Sequence, residues 1–214
     1  MAKILITSGP TRQYIDPVRY LSNASSGTMG CCLAQAAIDM GHEVIIVSGP
    51  VGVAYPTAAT VIDVVSTTDM LEACENHFPN CDGMIGAAAP CDYQPVEVAD
   101  HKIRKTGEDL TIKLVETTDI MAAMGKSKTS QQWTVGFALE TEDARFRALN
   151  KLIRKSCDLV VLNGVAAIDS PDNSIEIIAP DGDVIATDSG TKPHVATKIL
   201  EVIQERLIDA LDSV

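Results

Sequence analysis

Between a short apolar run, KILIT, and an Ala-rich helical segment, CCLAQAAIDMG, lies the stretch TSGPTRQYIDPVRYLSNASSGTMG, Thr7 to Gly30. It carries two Arg, one Asn, four Ser and three Gly. These residue types suit an anion. In SSGTMG at a helix start, Ser25 and Ser26 can cap, Gly27 lets backbone approach, and the first helical amides are free donors. Gly9, at the end of the preceding strand, completes a candidate phosphate loop, and Arg12 and Arg19 add charge. Taken alone, SSGTMG reads equally as an ordinary Ser-capped helix. The length of the connection argues for more, because roughly 20 residues far exceeds the usual strand-to-helix joint. The glycines are also too widely spaced for the G-x-G-x-x-G turn of a dinucleotide site.

Further along, Lys102, Arg104 and Lys105 in HKIRK, and Lys151 and Lys155 in NKLIRK, are the other clusters able to hold phosphate. By residue type alone the first is also a solvated charge run and the second a set of helix C-terminal cations. Asp92 beside Tyr93 fits a turn, and Phe137 in an apolar strand fits the core. The four His (His42, His77, His101 and His194) form no recognisable triad. Six Cys include no CxxC pair, and the one zinc-like spacing, Cys74, His77 and Cys81, lacks a fourth ligand, so the metal is left unassigned. The cysteines otherwise read as small buried apolar residues of a reducing compartment.

The elements that must position these groups alternate. KILIT, EVIIVS, TVIDVVS, DGMIGAAA, DLTIKLVET, WTVGFALET and DLVVLN read as strands. Helical patterns cover Met29 to Met40, Thr68 to His77, the start TTDIMAAMG capped by Thr118 or Asp119, the amphipathic TEDARFRALNKLIRKS, and His194 to Leu211. SIEIIAP and DVIATDS, joined by a DG turn, form a hairpin. The alternation predicts an α/β fold: a doubly wound, mostly parallel, Rossmann-like three-layer sheet with an antiparallel hairpin near the C-terminus. No repeat or composition break divides residues 1–214, so one domain is expected. In such a sheet ligands bind beyond the strand C-termini, which is where the polar and small residues above fall.

Composition narrows the class. With 46% apolar and 21% charged residues the chain has the balance of a soluble globular protein. No apolar run is long enough to span a bilayer and the N-terminus enters a strand with no signal-peptide pattern, so the cytoplasm is expected and a membrane is not. A formal net charge of -12 argues against a nucleic-acid surface, while a few converging cations could still hold a small anion.

TSGPTRQYIDPVRYLSNASSGTMG, GAAAPCDYQP, HKIRK, TTDI, GFALET and KLIRKSCDLVVLN together resemble the 4′-phosphopantothenoylcysteine synthetases, the ligase half of the bifunctional coenzyme A biosynthesis flavoproteins. The resemblance runs from Lys3 to about Ile203 and has no counterpart of the flavin-dependent decarboxylase half, so a free-standing synthetase is expected. It implies a two-step reaction. A nucleoside triphosphate, CTP in the bacterial enzymes, activates the carboxylate of 4′-phosphopantothenate with Mg2+ assistance, and the amino group of cysteine then displaces the nucleotide. It also implies a homodimer and a mobile flap at about 94–110 that contains HKIRK.

The resemblance assigns roles residue by residue. Asn23 is similar to an Asn that stabilises the acyl-nucleotide, and Arg19 to its partner on the phosphopantothenate side. Lys102 matches a Lys that grips the triphosphate. Gly86, Ala87, Ala88, Asp92, Phe137, Lys151 and Lys155 match nucleotide-binding positions. Thr117, Thr118, Asp119 and Ile120 stand where the family has Asn-Pro-Asp-Ile. There are departures: Thr28 replaces the usual Lys or Arg of SSGKMG, expected to remove a cation from the triphosphate end. Pro90 and Cys91 interrupt an Ala-Val-Ala-Asp run, and Ser-Asp-x-Asn becomes Ser170-Pro171-Asp172-Asn173. A short Rossmann oxidoreductase lacks its glycine fingerprint and a Tyr-x-x-x-Lys pair here. A non-catalytic nucleotide-binding module would account for Thr28.

Overall fold

A computed structural model describes residues 1–139, 143–164 and 172–211. In chain order the elements are β1 (Lys3–Ser8), β2 (Arg12–Asp16), β3 (Arg19–Ser22), α1 (Thr28–Asp39), β4 (Glu43–Ser48), β5 (Thr60–Asp63), α2 (Thr67–His77), β6 (Gly83–Gly86), β7 (Tyr93–Pro95), β8 (Leu114–Glu116), α3 (Ile120–Ser127), β9 (Trp133–Leu139), α4 (Ala144–Lys155), β10 (Leu159–Asn163), β11 (Asp172–Ile178), β12 (Val184–Thr191) and α5 (Lys192–Ile203). A π-type segment, Gln204–Ile208, prolongs α5 to the last described turn.

Eight strands form one sheet in the order β12-β11-β10-β9-β6-β1-β4-β5. The six from β10 to β5 are parallel, and β11 and β12 run antiparallel at the edge, as the hairpin pattern predicts. The apolar runs are continuous because both faces are covered. Ile4, Ile6, Val44, Ile46, Ile85, Val135 and Val161 pack with Leu33 of α1 and Val195 and Ile199 of α5. Leu5, Ile45, Val47, Met84 and Val160 point the other way, against Met70 and Cys74 of α2, Met124 of α3 and Leu152 of α4. This period-two alternation sorts the helices into layers.

Local chemistry sets the helix starts. Ser66 accepts from the Asp69 amide at 3.0 Å while Asp69 accepts from the Ser66 amide at 2.8 Å, a reciprocal box that fixes α2. Asp119 caps α3 through the Ala122 amide at 3.1 Å. All six cysteines are free thiols. Burial pushes Cys74 up to about 12 and Cys81 and Cys157 up to about 11, so these three behave as neutral apolar side chains. Cys81 donates to the His77 carbonyl, and among the described residues no group of three or more His, Cys, Asp or Glu converges as metal ligands. Among the described residues no helix is long and apolar enough to cross a membrane.

Two expectations are corrected. DLTIKLVET contributes only Leu114–Glu116, and this strand pairs with β7 in a separate two-stranded sheet. Leu114, Val115 and Glu116 are all exposed, because the stretch lacks the unbroken apolar run that a strand covered on both faces requires. The long first connection is also not plain loop. It folds as the β2–β3 hairpin, whose Tyr14 and Tyr20 rings meet edge to face at 5.4 Å.

Candidate functional site

Strand order reverses beside β1: the chain runs from β1 to β4 and β5 on one side, then returns to β6 on the other. The crevice at this switch point lies above the C-terminal ends of β1 and β6. Gly9, with φ of 75°, turns the chain out of β1 and accepts the Ala89 amide at 2.9 Å. Two adjoining cavities open there. The first, of about 240 Å³, is bounded by the start of α1, the Ala87–Ala89 segment and the ends of β9 and β10. The second, of about 120 Å³, lies between Gly86, Asp92, the Thr117–Ile120 turn and Lys155. Ala88 and Phe137 line both, so the half-buried Phe137 ring is a shared wall.

The first cavity collects Ser25, Ser26, Gly27, Ala87 and Ala88 as the sequence predicts, and also Thr28. Of the two expected serine caps, Ser26 makes a long one, its Oγ accepting from the Thr28 amide at 3.4 Å. The N-cap of α1 is Gly27, in the left-handed region at φ of 75°, and it supplies no side-chain oxygen. A side chain at 27 would be strained in that conformation, and its Cβ would lie 3.0 Å from Val51. The Gly27 carbonyl accepts from Ser8 at 3.1 Å, and Ser26 is turned toward the Thr28 hydroxyl at 2.8 Å. The Ser26 contact with the Thr28 amide is long, and a ligand anion at this helix start could compete with it. Among the polar lining residues, sequence reasoning gave no site role to Asn163, Asn173 or Lys192. They come from the end of β10, the start of β11 and the start of α5, and only the topology brings these to α1.

The second cavity gathers Gly86, Ala88, Asp92, Thr117, Thr118, Asp119, Ile120, Phe137 and Lys155. Lys155 pairs with Asp119 at 3.1 Å, which places one cation beside the Thr117–Ile120 turn. Thr117 donates to the Cys91 carbonyl at 2.6 Å, and the Cys91 amide donates to Thr11 at 2.8 Å. The Pro90–Cys91 departure is thus absorbed into a backbone-bonded wall. The space at Gly86 belongs to the core: a Cβ there would sit 2.2 Å from the Met121 sulfur, so its bareness accommodates Met121. Thr28 lies in the first cavity and does not line the second, so the cation it replaces belongs with the first.

Asn23, just beyond the β2–β3 hairpin, donates from Nδ2 to the carbonyls of Ala89 at 3.1 Å and Pro90 at 2.9 Å. Ala89 lines the first cavity and Pro90 the second, so Asn23 is tied to the segment between them, although neither it nor Gly9 nor Arg19 lines either cavity. Two carbonyl partners require the amide nitrogen on that side, leaving Oδ1 as the atom Asn23 presents. Arg19 bonds Asp16 through Nε at 2.9 Å and through Nη2 at 2.5 Å, and reaches the Ile103 carbonyl at 2.6 Å. Removal from water pushes the buried Asp16 carboxyl up, but the Val18 amide, the Arg19 guanidinium and the Ile103 amide outweigh this and bring it down to about 2.

These bonds latch the 96–113 connection between β7 and β8 to the hairpin, and the Ala99 amide adds a bond to the Ile15 carbonyl at 3.0 Å. Lys102 is exposed on that connection, next to Ile103, and lines neither cavity. Lys151, one turn before Lys155 on α4, also lines neither, and Arg12 stacks over Tyr20 at 4.6 Å. Glu140 and Thr141 of GFALET, and Ser170 and Pro171 with the segment before them, lie outside the described residues.

Residues 1–207 match the family described as the DNA/pantothenate metabolism flavoprotein C-terminal domain. The chain belongs to this family. Among its relatives is the coenzyme A biosynthesis bifunctional protein CoaBC of Vibrio parahaemolyticus, 40% identical over 208 residues, covering 94% of this chain and 52% of that protein. The chain therefore spans about half the length of the curated relatives it matches. The crystal structure of the C-terminal domain of a CoaBC protein is 38% identical and superposes with a TM-score of 0.82, covering 97% of this chain and 96% of that one. A Cab2 mutant in complex with phosphopantothenate-cysteine shares the fold at a TM-score of 0.79 and 14% identity, over 97% of this chain and 88% of that one. The superposition over nearly the whole chain shows that this doubly wound sheet is the fold of the CoaBC domain.

Proposed function

We propose that this protein is a phosphopantothenate–cysteine ligase of coenzyme A biosynthesis. The nucleotide, CTP, spans both cavities across the shared Phe137 wall with its triphosphate at the start of α1, and 4′-phosphopantothenate meets it at the seam beside Asn23. The observation that carries this reading is the pair of cavities sharing the Phe137 wall, with Asn23 on their seam. Two anions placed side by side are what carboxylate activation needs. A CoaBC domain at 38% identity and the product complex named for a Cab2 mutant support the assignment.

In the first step a carboxylate oxygen attacks the α-phosphorus and the bond to the bridging oxygen breaks, releasing pyrophosphate. Lys155 and the exposed Lys102 neutralise the triphosphate charge, and Asp92 faces the nucleoside. In the second step the amine of cysteine attacks the acyl carbon, the acyl–phosphate C–O bond breaks, the nucleoside monophosphate leaves, and the amine loses a proton to solvent. Asn23 Oδ1 accepts from the incoming amine and orients it at the seam. A bound Mg2+ would supply charge neutralisation at the triphosphate. Such an ion needs only one or two protein carboxylates besides phosphate oxygens, and the second cavity offers Asp92 and Asp119, the latter shared with Lys155. A second copy of the chain fits the exposed apolar side chains of the paired hairpins, Tyr14, Val18, Tyr20, Val96, Val98 and Leu110, which supports a homodimer.

The test is pyrophosphate release with 4′-phosphopantothenate, cysteine, Mg2+ and either CTP or ATP. Release that requires phosphopantothenate is expected, faster with CTP. Nucleotide binding with no such release would overturn the reading in favour of a binding module.

A further inference from the structure

We propose that Asp16 is a positioning residue for Lys102: together with Arg19 it fixes the Ile103 peptide as the pivot from which the flap delivers that lysine to the triphosphate. Where Lys102 goes rests on the ligase reading. The pivot rests on the hydrogen bonds alone.

Among the described residues Asp16 is the only carboxylate shut off completely from solvent, and it lines neither cavity. Burying a charge in this way is costly unless it is paired and hydrogen-bonded, so its partners show what it is for. Oδ1 accepts from the Val18 amide at 2.9 Å and the Arg19 amide at 3.0 Å, which closes the turn between β2 and β3. Oδ2 accepts from Arg19 Nε at 2.9 Å, from Nη2 at 2.5 Å and from the Ile103 amide at 3.1 Å. Arg19 Nη2 also donates to the Ile103 carbonyl at 2.6 Å. The hairpin turn needs Oδ1 alone. The other oxygen and the guanidinium take both polar groups of one flap residue, its N–H on the acid and its C=O on the base.

The flap has no comparable hold elsewhere. Of residues 100–112, Ile103 alone makes a hydrogen bond or ion pair to the rest of the described chain. The next anchors are the Ala99 amide on the Ile15 carbonyl and the Val96 amide on the Lys113 carbonyl, each at 3.0 Å. Lys102 is the neighbour of the fixed residue, and across a trans peptide its Cα lies about 3.8 Å from that of Ile103. Its exposed ammonium is therefore free to turn while its origin stays in place. In a connection anchored at its two ends alone, each turnover would carry the entropic cost of ordering the lysine afresh.

A neutral amide cannot replace the carboxylate. With Nδ2 in the place of Oδ2 it opposes three donors, and turned the other way it opposes the Val18 and Arg19 amides. Asp16→Asn thus breaks either the clasp or the turn.

The experiment sets Asp16→Asn, Lys102→Gln and the double variant beside the wild type, with two readouts. Amide hydrogen exchange of the ligand-free protein, followed by NMR, needs no activity: Asp16→Asn should speed exchange at Ile103 by about tenfold or more and leave Ala99 as protected as in the wild type. Pyrophosphate release with 4′-phosphopantothenate, cysteine, Mg2+ and CTP is the second. Here Asp16→Asn should lower kcat about threefold to tenfold, and should cause no further loss once Lys102 is replaced by Gln. A role confined to folding would lower both backgrounds by the same factor and deprotect Ala99 together with Ile103. Ile103→Pro removes the N–H from the flap side and leaves the buried pair intact, so it carries the same cycle with Lys102→Gln if Asp16→Asn does not fold. Wild-type exchange at Ile103, wild-type kcat in Asp16→Asn, or equal losses in the two backgrounds would each overturn the proposal. Asp16-dependent protection of Ile103 in a protein that releases no pyrophosphate would sink the ligase reading and leave the clasp in place.

Discussion

The two cavities share Ala88 and the Phe137 ring, yet they handle charge in opposite ways. In the second, the lysine is held against a carboxylate of its own chain, Lys155 on Asp119 at 3.1 Å. In the first, Lys192 has no carboxylate partner among the described residues, and the Gly27 N-cap beside it supplies no side-chain oxygen. A paired cation is already partly neutralised, so it positions a ligand more than it attracts one. A cation without a carboxylate partner contributes more of its charge when an anion arrives. On the proposed function, further charge for the triphosphate comes from outside both walls, and the exposed Lys102 on the 96–113 connection is the group proposed to bring it.

That difference is broken most severely at Lys102. With Lys102→Gln, pyrophosphate release is expected to fall by about a hundredfold or more, since a transition-state charge partner is lost. Phosphate binding in the first cavity and the melting temperature should stay at wild-type values. A parallel loss of phosphate affinity would show that the flap serves both cavities. Asn23→Ala comes next. Its amide spans the seam, so the acyl-nucleotide should form and accumulate while amide formation slows by roughly tenfold to a hundredfold. Quenched-flow mass spectrometry reads the intermediate directly, and an unchanged turnover number would remove Asn23 from the chemistry.

How much of this was legible in the sequence divides along the same line. The strands of the main sheet follow from continuous apolar runs of strand length, so KILIT and EVIIVS are found where the residues put them, while their order in the sheet was not readable. The second cavity was readable because its parts follow single strands: Asp92 after β6, Thr117 to Ile120 before α3, Phe137 within β9. The first was only half readable. Ser25 to Gly27 announce an anion, but Asn163, Asn173 and Lys192 reach it from the end of β10, the start of β11 and the start of α5, and no local pattern in KPHVATKIL marks its lysine as a ligand. The strand expected in DLTIKLVET failed for a related reason: alternation alone does not say whether a strand joins the main sheet or pairs locally with β7.

A smaller effect is expected at the latch between the hairpin and the flap. The folded Asp16 carboxyl, at about 2, lies below the roughly 3.9 of an unfolded aspartate. Its contribution to anchoring Ile103 is thus fully present above about pH 4 and lost as the pH falls toward 2. At neutral pH, Asp16→Asn removes the charge that holds Arg19 and should speed tryptic cleavage at Lys102, Arg104 and Lys105 several-fold. Phosphate affinity in the first cavity should not change. Identical cleavage of variant and wild type would mean that the Ala99 and Val96 backbone bonds hold the flap without the ion pair.

The smallest change sharpens the comparison from within the first cavity. Thr28 lies in the first turn of α1, across from Lys192, and lines that cavity without lining the second. Thr28→Lys places a second ammonium at a helix start, where the dipole repels it by roughly 0.3 to 1 kcal/mol when no anion is bound. It also breaks the hydroxyl contact with Ser26, so the free protein should melt slightly earlier. With phosphate present the sign reverses, and affinity should improve about threefold to tenfold, most at low salt where screening is weak. CTP affinity should rise in parallel, as expected where Thr28 stands at the triphosphate end. Unchanged binding of both phosphate and CTP would show that the Thr28 side chain does not face the phosphates and that α1 contributes backbone amides alone.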